Sequence, residues 1–195
     1  MKTLTELLLV ATHRRWRRDA SGRVAWTVPP VSPGVIWIHA ASVGEVGAVE
    51  ALLPHLTGLI LLTADTDTGI DRARQISEKD SRVVAGPRPV DHKWFLAPLW
   101  AEARPRAVLF VEGCWWPQLA RLAASQGVPV IRVSAKAGPR TRRAPTWWYR
   151  RFTAATTLVI ARDAHEAQWF ANHQASPVCV GGDLKGDRPL PPNPL

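Results

Sequence analysis

From residue 35 onward the chain alternates short apolar runs with longer, mixed-polarity stretches. The apolar runs fall at 35–38, 59–62, 82–84, 107–111, 128–133, 158–160 and 178–180. They are continuous and rich in Val, Ile and Leu rather than alternating with polar residues. That is how strands read when both of their faces are buried. Between them, 45–56, 68–77, 91–103, 116–126, 145–155 and 163–173 read as helices. Strand and helix taking turns this regularly predicts right-handed βαβ units. The expected fold class is α/β: a single Rossmann-like domain with a mostly parallel sheet and helices on both faces. It spans 35–187. Ahead of it, 1–34 read as a basic amphipathic segment (Leu4, Leu7 and Leu8 on one side, then Arg14, Arg15, Arg17 and Arg18) followed by a linker with Pro29, Pro30 and Pro33. Residues 188–195 form a Pro-rich tail that cannot extend a sheet.

Composition narrows the possibilities. The 195 residues are 46% hydrophobic and 21% charged, the balance of a folded domain. No apolar stretch approaches the roughly 18 residues of a spanning helix. No signal peptide is legible, because the apolar run after Lys2 leads into arginines instead of a cleavage site. Two cysteines, Cys114 and Cys179, make no disulfide framework, and no metal-type spacing surrounds them. The six histidines suggest no metal site or triad. With 25 basic and 16 acidic residues the net charge is +9, which favours polyanionic partners without choosing among nucleic acid, membrane surface and phosphorylated substrates. Ten tryptophans beside one tyrosine add groups suited to interfaces.

In open parallel sheets ligands bind at the carboxyl ends of the strands, so candidate chemistry belongs in the loops that follow them. The first loop reads His39-Ala40-Ala41-Ser42-Val43-Gly44-Glu45. Small residues leave room for a ligand, and Gly44 permits close backbone approach. Glu45 falls at a helix start, where free N–H groups and the helix dipole favour its ionised form. It is either a base able to take a proton from a hydroxyl or a simple helix cap. The loop lacks the G-x-G-x-x-G pattern and no P-loop occurs anywhere, which argues against nicotinamide and P-loop chemistry. Thr66 and Thr68 open the second helix and either hold phosphate or sugar oxygens or cap it. Glu112, beside Trp115 and Trp116, either lines a sugar or acceptor pocket or marks a helix start. Residues 136–151 hold six basic side chains, Lys136 and Arg140 among them, interleaved with Trp147, Trp148 and Tyr149. Such a segment suits phosphate-bearing ligands or lipid headgroups, or is a solvated face.

Together these loops resemble the amino-terminal half of the 3-deoxy-D-manno-octulosonic acid (Kdo) transferases. The strongest segment runs Trp37-Ile38-His39-Ala40-Ala41-Ser42-Val43-Gly44-Glu45-Val46. Thr66-Asp67-Thr68-Gly69, Pro89-Val90-Asp91, Glu112 with Trp116-Pro117, and Gly182-Asp183-Leu184-Lys185-Gly186-Asp187 follow in the family's order. The resemblance implies one half of a two-domain GT-B glycosyltransferase. It implies Glu45 as the base that deprotonates the acceptor hydroxyl while CMP leaves CMP-Kdo with inversion. It places Ser42, Gly44, Thr66, Thr68, Glu112, Lys136 and Arg140 on the side of the acceptor, a lipid A precursor, and Gly182 and Lys185 at the domain junction. It implies no cofactor and no metal. The implied setting is cytoplasmic, peripheral on the anionic inner-membrane surface, with a separate carboxyl-terminal-type domain as a partner and no nucleic acid. The chain departs from the family pattern at Cys114 (usually acidic), at Ser134-Ala135-Lys136 (usually Asn-Ala-Arg) and at Asp183 (usually Asn). The nucleotide-sugar domain is expected after residue 187, so the resemblance suggests a split or truncated enzyme. The competing reading is a non-catalytic glycolipid-binding module, and a less favoured one is a basic nucleic-acid-binding protein.

Overall fold

A computed structural model describes residues 23–24, 29–113, 116–143, 145–174 and 176–187. The amphipathic segment 1–20, Cys114, Trp115 and the Pro-rich tail lie outside the described residues. Among the described residues seven strands form one parallel sheet: β1 (Ile36–His39), β2 (Ile60–Ala64), β3 (Val83–Pro87), β4 (Ala107–Val111), β5 (Val130–Ala135), β6 (Leu158–Ala161) and β7 (Val178–Val180). Each coincides with one of the apolar runs. The connecting helices are α1 (Val43–Val49), α2 (Asp67–Lys79), α3 (Lys93–Ala103), α4 (Pro117–Ser125), the short α5 (Pro139–Arg142), α6 (Thr146–Thr153) and α7 (Ala164–His173). The stretch expected to be helical over 45–56 divides into α1 and a 3-10 turn at Leu53–His55, where Pro54 interrupts the α-helical bonding.

Burial on both faces explains the unbroken apolar runs. Ile36 and Ile38 of β1 face a core layer with Val46 and Val49 of α1 and Ile70, Ala73 and Ile76 of α2. Trp37, between them, faces the opposite layer with Leu96 and Leu99 of α3 and Leu119 and Ala123 of α4. A third cluster joins Tyr149 of α6 and Phe170 of α7 to Val159 and Ala161 of β6. No helix among the described residues is long and apolar enough to cross a membrane.

The sheet order is β3-β2-β1-β4-β5-β6-β7. The chain winds outward from β1 to β3, then crosses back to β4 and winds the other way. β1 and β4 therefore flank the point where the winding reverses, and their following loops diverge to opposite faces. The crevice this opens is where such sheets bind ligands. Glu45 follows β1 and Glu112 follows β4.

Candidate active site

The loop after β1 is held by its own side chains. Ser42 is extended (φ −123°, ψ 164°), and its hydroxyl accepts the Glu45 N–H at 3.4 Å, capping α1. In a reciprocal capping box the glutamate would return to the N–H of the cap residue. Here Glu45 Oε2 accepts the N–H of Ala41 instead, at 2.7 Å, one residue earlier. The carboxylate thus braces the loop as well as the helix. Its pKa is raised from the ordinary glutamate value. Burial is the main cause and the Glu112 charge adds to it; the Ala41 N–H, His39 and Lys185 pull the other way. This corrects the expectation from the helix dipole alone: at a half-buried site beside a second carboxylate, desolvation outweighs the helix terminus.

Glu112 directly follows β4 with a left-handed backbone (φ 55°), a conformation that costs a non-glycine residue energy. Its side chain is 3% exposed and forms ion pairs with both Lys136, just after β5, and Lys185, beyond β7. The partners of Glu112 are lysines, and Trp116 turns towards His39, 5.6 Å away edge-on.

Thr66 caps α2 by accepting the Gly69 N–H at 3.1 Å, and its hydroxyl lies 3.4 Å from that of the exposed Thr68. This loop is fastened to the first one. The Ala41 carbonyl accepts the N–H groups of both Asp65 and Thr66 at 3.1 Å. A Cβ on Gly69 would come within 3.3 Å of the Ser42 carbonyl carbon, tighter than ordinary contact, so a side chain there presses the two loops apart. Asp91 caps α4 from a distance in sequence, accepting N–H groups from Gln118 (3.1 Å) and Leu119 (2.9 Å). The structure therefore gathers Ser42, Gly44, Glu45, Glu112, Lys136 and Lys185 at the crevice, with Thr66 and Thr68 on its flank.

The basic segment is not one uniform face. Besides the Lys136–Glu112 pair, Arg142 binds Glu166 at 2.8 Å, and Glu166 also accepts the Ala137 N–H at 2.7 Å. Tyr149 is buried and accepts from Arg132 Nη1 at 2.6 Å, whereas Trp147 is 69% exposed. Arg140 lies in α5, and its side chain is outside the described set. Among the described residues no three His, Cys, Asp or Glu side chains converge as metal ligands would.

The sequence matches a family model, 3-deoxy-D-manno-octulosonic-acid transferase (kdotransferase), over residues 14–188. The chain belongs to the Kdo transferase family. It is 30% identical over 183 residues to a 3-deoxy-D-manno-octulosonic acid transferase of Bordetella pertussis, covering 87% of this chain and 42% of that protein. It is 28% identical over 116 residues to a bifunctional glycosyltransferase/methyltransferase of Fusobacterium nucleatum, covering 55% of this chain and 18% of that one. The chain thus spans less than half the length of these curated relatives.

Beneath the crevice this Kdo transferase relative carries a buried polar network that the sequence reading overlooked. Asp65 binds Arg88 Nε at 3.0 Å and faces His39 Nε2 at 3.4 Å, while Arg23 donates to the Asp65 carbonyl. Burial opposes ionisation of Asp65, but Arg88, His39 and Arg23 together outweigh it and hold the carboxyl well below the ordinary aspartate range. The Arg88 guanidinium stacks 3.4 Å from the centre of the Trp116 ring. His39 Nδ1 lies 3.1 Å from the Thr63 hydroxyl, which also accepts from Trp37 Nε1 at 2.9 Å. His39, set aside on sequence, thus has a definite place in the scaffold. The available signal was a charged residue directly after each of two buried runs, Asp65 after β2 and Arg88 after β3.

Proposed function

We propose that this chain forms the acceptor-side half-site of an inverting Kdo transferase, with Glu45 as general base. The observation that carries the reading is the half-buried Glu45 carboxyl at the winding reversal, its pKa raised by burial and by Glu112. A carboxylate of raised pKa takes a proton from a hydroxyl better than an ordinary one does. In the proposed reaction Glu45 accepts the proton of the acceptor hydroxyl as that oxygen bonds to the anomeric carbon of CMP-Kdo. The bond from that carbon to the CMP phosphate oxygen breaks and CMP leaves with its electron pair, inverting the centre. Ser42 and Gly44 shape the loop around the incoming hydroxyl. Thr66 and Thr68 offer hydroxyls to the acceptor, and Lys136, Lys185 and Arg140 supply positive charge for its anionic groups. Donor binding belongs to a carboxyl-terminal-type domain, supplied separately or in a longer chain. The acceptor is a lipid A precursor presented on the anionic inner-membrane surface from the cytoplasmic side. Exposed Trp94 (72%) and Trp147 (69%) and the net charge of +9 support contact with that surface.

The test is Glu45→Gln, assayed for transfer from CMP-Kdo with the second domain supplied and, in parallel, for unfolding. Loss of the base lowers turnover by roughly 10²–10⁴-fold. A carboxylate that only capped α1 would instead cost about 0.5–2 kcal/mol of stability and leave turnover near normal. A chain that binds anionic vesicles yet supports no transfer in any domain combination is a glycolipid-binding module instead.

A further inference from the structure

Residues 181–187 take an unusual path. β7 is the edge strand, three strands away from β4. At about 4.8 Å per strand that is roughly 14 Å, and five residues at about 3.3 Å each just cover it when nearly extended. The segment does cross. Leu184 N–H donates to the Ser134 hydroxyl of β5 at 3.3 Å, and Lys185 reaches Glu112 at the end of β4. A Cβ on Gly44 would lie 3.8 Å from Lys185 Cε, so the lysine stem lies over the start of α1. The sequence permits this flat path at two places. A Cβ on Gly181 would fall 2.2 Å from Ile160 Cγ2 of β6, so a larger residue there forces the strap and the Ile160 side chain apart. Gly182 adopts φ 99°, a region that side-chain-bearing residues avoid.

We propose that residues 181–187 are a strap across the carboxyl edge of the sheet that delivers Lys185 as a positioning residue for the Glu45–Glu112 pair. Two neighbouring carboxylates in a half-buried crevice repel each other, and each added positive charge eases their coexistence. Lys136 approaches Glu112 from β5, His39 faces Glu45 from β1, and Lys185 acts on both glutamates from the strap. Of the two lysines only Lys185 arrives from a segment outside the βα loops. Its supply therefore depends on the position of the strap, and the ionisation of the crevice is tied to the chain that leaves it. The inference rests on Glu45 as the reacting carboxylate, but its test does not require transfer.

The test follows the side-chain carboxyl carbons of Glu45 and Glu112 by NMR through a pH titration of the full chain. Signals are assigned by their loss in Glu45→Gln and Glu112→Gln. In Lys185→Met Glu45 takes up its proton at higher pH than in the wild type, and exchange of the Leu184 amide speeds up by about fivefold. Lys185→Arg keeps the wild-type titration. Gly181→Ala, remote from both glutamates, reproduces the Lys185→Met shift by forcing the strap away from Ile160. An unmoved Glu45 protonation in Lys185→Met, the same shift in Lys185→Arg, or a wild-type titration in Gly181→Ala overturns the proposal. If the titrations behave as expected and no domain combination transfers Kdo, the strap stands and the enzymatic reading falls.

Discussion

Arg88→Met tests whether the loops of the crevice rest on the Asp65 network. The Arg88 side chain is fully buried and that of Asp65 is 7% exposed, with 3.0 Å between them. Methionine keeps much of the aliphatic stem and removes the guanidinium, leaving a buried carboxylate without its largest compensating charge. Breaking a buried pair from one side costs about 3–5 kcal/mol. His39 and Arg23 still offset part of the charge, which points to the lower end. Loss of the stack on Trp116 returns about 1–2 kcal/mol of cost in a desolvated setting. The expected destabilisation at neutral pH is therefore about 4 kcal/mol, within the stability of a domain of this size. The pH dependence has a definite sign. In the wild type Asp65 has a depressed pKa, so its contribution is present above the unfolded value and is lost only as pH falls through the folded one. In the variant, burial outweighs the remaining charges and the carboxyl takes up a proton more readily. The gap between wild type and variant then narrows as pH drops below about 5. Denaturant unfolding followed by tryptophan fluorescence at several pH values measures both quantities. A loss below about 1 kcal/mol, or a gap that does not change with pH, would refute the reasoning.

The raised pKa of Glu45 predicts that transfer, with its second domain supplied, rises with pH through a limb above the ordinary glutamate range; a profile flat down to about pH 4 counts against the base assignment. Gly69→Ala forces a Cβ to within 3.0 Å of the Thr66 hydroxyl and 3.3 Å of the Ser42 carbonyl carbon, so the first two loops move apart at a cost of about 1–3 kcal/mol in unfolding experiments. Glu166→Ala leaves the buried Ala137 N–H and the Arg142 guanidinium without their carboxylate; thermal or denaturant unfolding should register about 3 kcal/mol, and a change under 0.5 kcal/mol contradicts the contact.

The alternation of apolar runs and mixed stretches was enough to place the seven described strands and six of the helices between them, but not the short α5. A strand covered on both faces has to be apolar at every position, and that demand is written locally. The start of α1 was legible to within two residues, with Glu45 expected there and Val43 found, because the bonds to Glu45 N–H and Ala41 N–H stay within five residues. The ionisation of Glu45 was not legible. Its neighbour Glu112 follows β4, 67 positions further along, and that charge together with burial reverses the sign that the helix terminus alone would give. The same holds for the partners of Glu112. Lys136 and Lys185 converge on it only because the sheet sets β5 beside β4 and the strap crosses back from β7. His39 ends β1 while Asp65 and Arg88 follow the adjacent β2 and β3, and nothing in their spacing along the chain announces that they meet. Strand order is settled by how the helices cover the two faces, and charges at strand ends find their partners only once that order exists.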